Sequence, residues 1–298
     1  MLCPHCASTY TKIHGYRRNS ENELFQRHIC KTCNKTYSIP YETQINDRDS
    51  DSHQKVEAGH VLKYEYAGKV RVHGLTDVHI GANEHDHEKL KDAVKIIKND
   101  KFARWFGNGD ILECIPPNYK IPQRGQSISP DDQYEEALKI LRPIADKCLF
   151  LRGGNHDYIR SIKVLDFDIT RGMANALGVP YYELPGYTTI MTGGREWNLV
   201  SGHGVGGGKN GDLELDKLAS VYSDGDVFFL GHNHQLYTKP IDSISIFENE
   251  ETLHRRWYVR GGSFLRYANY ARYSFFPIIR TGWVTMEFDR DGIECWVN

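Results

Sequence analysis

Leu151-Arg-Gly-Gly-Asn-His-Asp157 decides how this 298-residue chain is read. The apolar run leading into it, Cys148-Leu-Phe-Leu151, has the length and composition of a buried strand, and Gly153 and Gly154 end that strand in a turn. Glycine tolerates the positive φ and the close backbone approach that such a turn needs. At the carboxyl end of the strand the turn presents an amide oxygen, an imidazole and a carboxylate. These can serve as a metal ligand, a proton donor and a group that orients the donor. Taken alone, Asn155-His156-Asp157 is equally a capped loop with a satisfied histidine. Four further clusters decide between the two readings.

Toward the amino end, Phe102-Ala-Arg-Trp-Phe106 runs into Gly107-Asn-Gly-Asp110-Ile-Leu-Glu113, and Lys69-Val-Arg-Val-His-Gly-Leu75 runs into Thr76-Asp77-Val-His79. Toward the carboxyl end, Trp197-Asn-Leu-Val200 stops at Ser201-Gly-His203, and Val227-Phe-Phe-Leu230 stops at Gly231-His232-Asn-His234. Helical periodicity fills the gaps at 84–99, 131–146, 163–177 and 213–222, and strands at 257–259, 282–288 and 292–297 close the chain. Strands alternating with helices indicate an α/β class, and polar groups at strand ends are where such folds build sites. Asp77, His79, Asp110, Asn155, His203, His232 and His234 form a mixed nitrogen and oxygen donor set, which suits Mn, Fe, Zn or Co. Seven donors exceed the needs of one solvent-accessible ion. Two ions about 4 Å apart that share a carboxylate suit the set, and such a pair can hold both the attacking oxygen and the phosphate oxygens of an in-line displacement. His73 is expected in the core and His85 and His87 at a solvated helix start. The glycine-rich stretch 204–208 is expected as a flexible lip, with Lys209 beside substrate, and the run Arg266, Tyr267, Tyr270, Arg272, Tyr273 is a candidate base-stacking surface.

These clusters, in this order, resemble the calcineurin-like metallophosphoesterases over roughly residues 68 to 298. The resemblance implies a four-layer αββα sandwich. It also assigns roles: Asp77, His79, Asp110 and His234 hold one divalent ion, and Asp110 bridges to a second held by Asn155, His203 and His232. His156 assists the leaving oxygen, Asp157 orients the His156 imidazole, and hydroxide held by the ions attacks phosphorus in line. Asp77-Val-His-Ile-Gly and Gly154-Asn-His-Asp are most similar to the branch of DNA-repair and phage nucleases, with manganese the expected metal and iron or zinc the others. The chain departs from the repair nucleases in having no histidine just after Glu113.

The amino end differs from this body. Cys3-Pro-His-Cys6 and Cys30-Lys-Thr-Cys33 are two C-x-x-C units, enough thiolates for one tetrahedral structural zinc, and a segment this short has little core without such a staple. The stretch is similar to the zinc ribbons of insertion-element transposases, which implies a hand in holding DNA. His5 and His28 are expected in solvent. Residues 1–40 carry Lys12, Arg17, Arg18, Arg27, Lys31 and Lys35 against Glu21 and Glu23, a local +4 inside an overall charge of −2. With Tyr10, Tyr16 and Phe25 between them, these cations suit phosphate contacts and base stacking.

The expected organisation is therefore a zinc ribbon at 1–40, a polar linker at 41–67 with a short helix near 52–62, and a metallophosphoesterase domain at 68–298. Hydrophobic residues at 40% and charged residues at 26% are ordinary for a soluble globular protein. No apolar run reaches the ~18 residues of a membrane helix, and no basic segment precedes an apolar signal core, so a cytoplasmic protein without a membrane partner is expected. Cys114, Cys148 and Cys295 read as buried thiols. The function expected is a dimetal DNA phosphodiesterase or nuclease. Its rivals are a phosphatase or phosphodiesterase acting on nucleotides or phosphoproteins, and an inactive zinc-ribbon DNA-binding protein. A retired site has no physical need for seven matched donors, which argues against the last.

Overall fold

The computed structural model describes residues 2–19, 24–40, 61–117, 119–205, 210–247, 250–267, 273, 275, 278 and 280–298. It divides into two compact units, Met1–Ala58 and Gly59–Asn298. In the first, β1 (Thr11–Arg18), β2 (Leu24–Cys30) and β3 (Thr36–Pro40) form an antiparallel sheet in the order β1-β2-β3. Among the described residues no helix is long and apolar enough to cross a membrane.

The second unit holds two sheets. One has the order β14-β13-β5-β6-β7, with β5 (Val70–Leu75), β6 (Ala103–Asn108) and β7 (Cys148–Arg152) mutually parallel and β13 (Val284–Phe288) and β14 (Ile293–Val297) antiparallel at one side. The other runs β11-β12-β10-β9-β8-β4, built from β4 (Val61–Tyr66), β8 (Gly186–Thr192), β9 (Arg195–Gly202), β10 (Val227–Leu230), β11 (Leu236–Phe247) and β12 (Glu250–Gly261).

Burial on both faces of the central strands explains their near-continuous apolar sequences. On the outer face of the five-stranded sheet, Leu75, Trp105 and Leu151 pack against Leu90, Ala93 and Ile97 of the helix His87–Asn99, Leu138 and Leu141 of Pro130–Leu141, and Met173 of Ile169–Leu177. On its inner face, Val72, Phe106, Phe150 and Met286 meet Ile190, Leu199, Phe229 and Val259 of the six-stranded sheet. The far side of that sheet buries Val200, Phe228 and Leu230 against Leu215 of the helix Gly211–Val221. The layer order is thus helix, sheet, sheet, helix, the αββα sandwich expected from the sequence. Phe106 sits at its centre, its ring 5.0 Å from those of both Phe150 and Phe229.

Several boundaries differ from expectation. Val61–Tyr66, assigned above to the linker, pairs in parallel with β8, because Leu62, Tyr64 and Tyr66 have an apolar face to cover. The rest of the expected linker and most of its short helix, residues 41–60, lie outside the described residues. The helix expected at 163–177 is two, Arg160–Leu165 and Ile169–Leu177, broken where Asp166 turns left-handed at φ 49° and Asp168 caps the second by accepting from the Arg171 amide. Strands β8 and β11 are additional. Pro240 in the middle of β11 is tolerated because that strand is at the sheet edge.

Candidate metal centre

The parallel strands end level with one another. Asn108 is in register with Arg152 across β6 and β7, and Gly202 with Leu230 across β9 and β10. The next residues of each chain segment therefore emerge at one edge of the sandwich, and they are the predicted ligands. Asn108 also ties the two sheets: its side-chain amide donates to the Gly202 carbonyl at 2.6 Å and accepts from Arg152 Nη1 at 2.7 Å.

Five of these residues have left-handed backbones: Asp77 (φ 51°), His79 (53°), Asp110 (53°), His232 (68°) and His234 (59°). Each costs free energy on an L-residue, and such strain persists where surrounding structure enforces it, commonly at functional sites. Gly109 and Gly154 supply the room. A Cβ on Gly154 would lie 2.2 Å from Asp110 Oδ1, and one on Gly109, itself at φ +93°, would lie 2.4 Å from His203 Nδ1.

The side chains converge in two groups. In the first, His234 Nε2 lies 3.3 Å from both Asp77 Oδ1 and His79 Nε2. The second holds Asp110, His203 and His232, with His203 Nε2 3.2 Å from Asp110 Oδ2. Asn155 Oδ1 joins it at 3.1 Å from His203 Nε2 and 2.7 Å from His232 Nδ1. Asp110 Oδ2 is also 4.0 Å from His79 Nε2, which places this carboxylate between the groups. Each group draws on both sheets, since Asp77, His79 and Asp110 follow β5 and β6 while His203, His232 and His234 follow β9 and β10.

Hydrogen-bond partners fix which nitrogens carry protons. His79 Nδ1 is 2.9 Å from Glu113 Oε2, and His203 Nδ1 is 2.8 Å from the Asn108 carbonyl, so in both neutral rings the proton is on Nδ1 and Nε2 is bare. His203 Nε2 then faces only acceptors. A buried meeting of lone pairs and carboxylates requires a cation, and the donor chemistry fits divalent transition metals. The electrostatics agree. Burial pushes the His203 pKa down, but Asp110 beside it holds it up at about 10. Burial likewise opposes ionisation of Asp77, yet His234 holds its carboxyl at about 2, and Asp110 is driven well below the usual carboxylate range by His203 and His156.

His156 stands beside the groups, with Nε2 3.9 Å from Asp110 Oδ2. Its expected orienter is corrected. Both oxygens of the buried Asp157 accept backbone amides instead, from Gly154 at 2.7 Å and Ile111 at 2.7 Å, so Asp157 ties the loop after β7 to the loop after β6. The His156 ring is oriented by Glu113, whose Oε2 is 3.2 Å from Nδ1, and by Arg160, whose Nη2 is 2.9 Å from Nε2. Arg160 also donates from Nη1 to the Glu113 carbonyl at 2.7 Å and Oε1 at 3.2 Å. Sequence reasoning noted Glu113 without giving it a role. Arg160, one helical turn after His156, carried no signal. The unusual π-turn Asn155–Ile159 brings it back onto the ring.

Other expected features separate cleanly. His73 is buried, with Nδ1 2.9 Å from Thr285 Oγ1. His85 is half-buried, not solvated, and places Nδ1 2.8 Å from the Val78 carbonyl; neither it nor His87 joins a donor group. Arg266 pairs with Asp86 at 3.0 Å; Tyr270, Arg272 and Lys209 lie outside the described residues, as does most of the glycine lip. Cys114, Cys148 and Cys295 are free thiols.

In the first unit Cys3, Cys6, Cys30 and Cys33 lie together, with Sγ separations of 3.8 Å (Cys3 to Cys33) and 3.6 Å (Cys6 to Cys30). A tetrahedral site with Zn–S of about 2.3 Å spaces its sulfurs about 3.8 Å apart, whereas a disulfide needs about 2.05 Å. The two knuckles have the same backbone. Ala7 N donates to Cys3 O at 2.8 Å and Asn34 N to Cys30 O at 2.9 Å, and Ala7 and Asn34 both take φ 56°. Lys12, Arg17, Lys31, Lys35 and Tyr10 are exposed and Arg27 half-buried. His28, expected in solvent, is buried and stacks on Tyr37 at 5.3 Å.

Fold and donor set together define a four-layer α/β protein with a candidate dinuclear metal centre. Among solved structures of similar backbone are Vps29 from Entamoeba histolytica complexed with zinc (13% identity, 77% of this chain and 98% of that one, TM-score 0.41) and Vacuolar Protein Sorting 29 from Cryptosporidium parvum (13%, 78% and 97%, 0.41). A predicted phosphoesterase from Streptococcus pneumoniae is another (13%, 78% and 100%, 0.37). No family model and no curated protein matches the sequence.

Proposed function

We propose that this chain is a metal-dependent phosphoesterase that hydrolyses the phosphodiester bonds of DNA. The reading rests on the convergence of seven donors from five strand ends on two adjoining points, with Asp110 between them and no protons to separate the lone pairs. Asp77, His79, Asp110 and His234 would hold one divalent ion, and Asp110, Asn155, His203 and His232 the other. Such a pair neutralises charge on phosphoryl oxygens and makes water a usable nucleophile near neutral pH. The protein's own part is to aim these donors, to keep His79 Nδ1 protonated through Glu113, and to hold His156 at the edge of the centre. Glu113 and Asp110 raise the His156 pKa against its burial, which favours a ring that can donate to a departing oxygen. The case for DNA, rather than a small phosphoester, comes from the first unit: four cysteines spaced for zinc and an exposed set of Lys and Arg around them.

Hydrolysis of single- and double-stranded DNA with added Mn2+ tests the reading, beside Asp110→Ala. Cleavage by the wild type and a fall of at least about a thousandfold in the variant are expected, since the shared ligand serves both ions. Metal-dependent turnover of small phosphoesters without DNA cleavage would move the substrate to nucleotides or phosphoproteins.

A further inference from the structure

The hairpin of β11 and β12 is far longer than the sheet that carries it. β12 pairs with β10 only over Trp257–Arg260, while β11 and β12 pair with each other from Leu236↔Gly261 out to Phe247↔Glu250. Beyond Ile241↔Arg256 the two strands therefore form a ribbon paired only with itself. Isolated two-stranded ribbons are marginal in water and gain stability when one face is covered.

Alternation along the strands sorts the ribbon's side chains onto two faces. Ser243, Ser245, Thr252 and His254 share one, with Ser245 Oγ 2.6 Å from His254 Nε2, and that face is polar. The other carries Ile244 opposite Leu253 and Ile246 opposite Glu251, and the three aliphatic side chains are 65%, 66% and 74% exposed for Ile244, Leu253 and Ile246. At the inner end of this face, Asp242 and Arg255 make a two-pronged ion pair at 2.8 and 3.0 Å. A contiguous aliphatic cluster on a projecting ribbon is unusual on the free surface of a monomer.

We propose that this face docks on the same face of a second copy of the chain, the two ribbons lying antiparallel across a two-fold axis beside the Ile244–Leu253 pair. Charge selects this occupant. The outer end of the ribbon is acidic in sequence, with Glu248, Glu250 and Glu251, whereas its inner end carries Arg255 and Arg256. Antiparallel packing lays the acidic end of each ribbon over the basic end of the other, and Ile244, Ile246 and Leu253 against their counterparts. The same acidic tip disfavours a nucleic-acid phosphate backbone as the occupant. A ribbon interface of this kind buries less than about 1,200 Å² in total, so the dimer is expected to be in the micromolar range.

Sedimentation equilibrium of the full chain decides it, alongside Ile244→Asp and Glu251→Arg. All three positions used are exposed, and circular dichroism checks that each variant is folded. Expected are a monomer–dimer equilibrium for the wild type and a dissociation constant raised about a hundredfold by Ile244→Asp. Glu251→Arg should weaken association less, and its deficit should shrink as salt is added, because screening removes the like-charge contact with the partner's Arg255. A wild type that stays monomeric at high micromolar concentration overturns the proposal, as does a dimer that folded Ile244→Asp leaves unchanged.

Discussion

Two acidic residues, Glu113 and Asp157, sit near His156, and their partners give them different work. Glu113 meets the His79 and His156 rings, so Glu113→Gln should lower the hydrolytic rate about 10- to 100-fold with little change in melting temperature. Asp157 accepts only backbone amides, and Asp157→Asn would turn a donor toward one of them. It should therefore cost about 1–3 kcal/mol of stability, read from thermal melts, without a matching loss in the folded enzyme's rate. Rate loss confined to Asp157→Asn would restore the orienting role that sequence suggested for it. His73 offers a test remote from the centre. Trp283 Nε1 donates to its Nδ1 at 3.2 Å, and burial pushes its pKa down to about 4. Above pH 6.5 the ring is neutral in both states and contributes no pH dependence. As pH falls from 6.5 toward 4 the unfolded chain gains a proton that the folded chain refuses, so stability is lost on acidification, by up to about 3 kcal/mol. His73→Gln should flatten that part of a stability–pH curve, and an unchanged slope would assign the proton elsewhere. Sequence read His73 correctly as a core residue because it lies inside a strand pattern. The partners of Asp157 were beyond its reach, since an aspartate beside a histidine looks like an orienter until the backbone between them is seen.

At the scale of elements, the strand ends were legible and the connections less so. An apolar run that stops at Asp, His or Asn is a local signal, and β5, β6, β7, β9 and β10 each give it. Strand β8, Gly186–Thr192, alternates weakly and begins after a proline, and β11 contains one, so neither announces itself. The break at Asp166 is similarly hidden, because a single left-handed residue leaves the helical periodicity on either side intact. The turns after β6 and β7 are the elements on which the centre depends, and they interlock through Gly154, which lies against Asp110. Gly154→Ala should displace Asp110 and reduce Mn2+ affinity at least tenfold by calorimetry, while the sheets stay folded by circular dichroism. Unaltered affinity would mean that the loop yields and that the close approach is incidental.

Across the whole molecule, the two units call for separate chemistry. The first has a three-stranded sheet and few buried apolar residues among those described, so its order should depend on metal at the four cysteines. Cys30→Ser should remove one zinc per chain by elemental analysis, weaken DNA binding and make its salt dependence shallower, while Mn2+-dependent turnover of a small phosphodiester persists. DNA affinity and salt slope that survive the loss would point to the second unit as the nucleic-acid surface. The layered class of the larger unit was readable from strand and helix alternation alone. Its long hairpin was not, because a ribbon paired only with itself lacks the buried face that marks a strand in sequence.

Each donor group straddles the two sheets, and that bears on how the molecule comes apart. Ions bound there would cross-link β5 and β6 to β9 and β10, so separating the sheets means first breaking coordination. Contacts made only once both sheets have closed slow unfolding more than they speed folding. The centre would then also serve as a latch: a chelator should shorten the lifetime of the native state more than it slows refolding, and the enzyme would outlast heat or protease longest while loaded for catalysis.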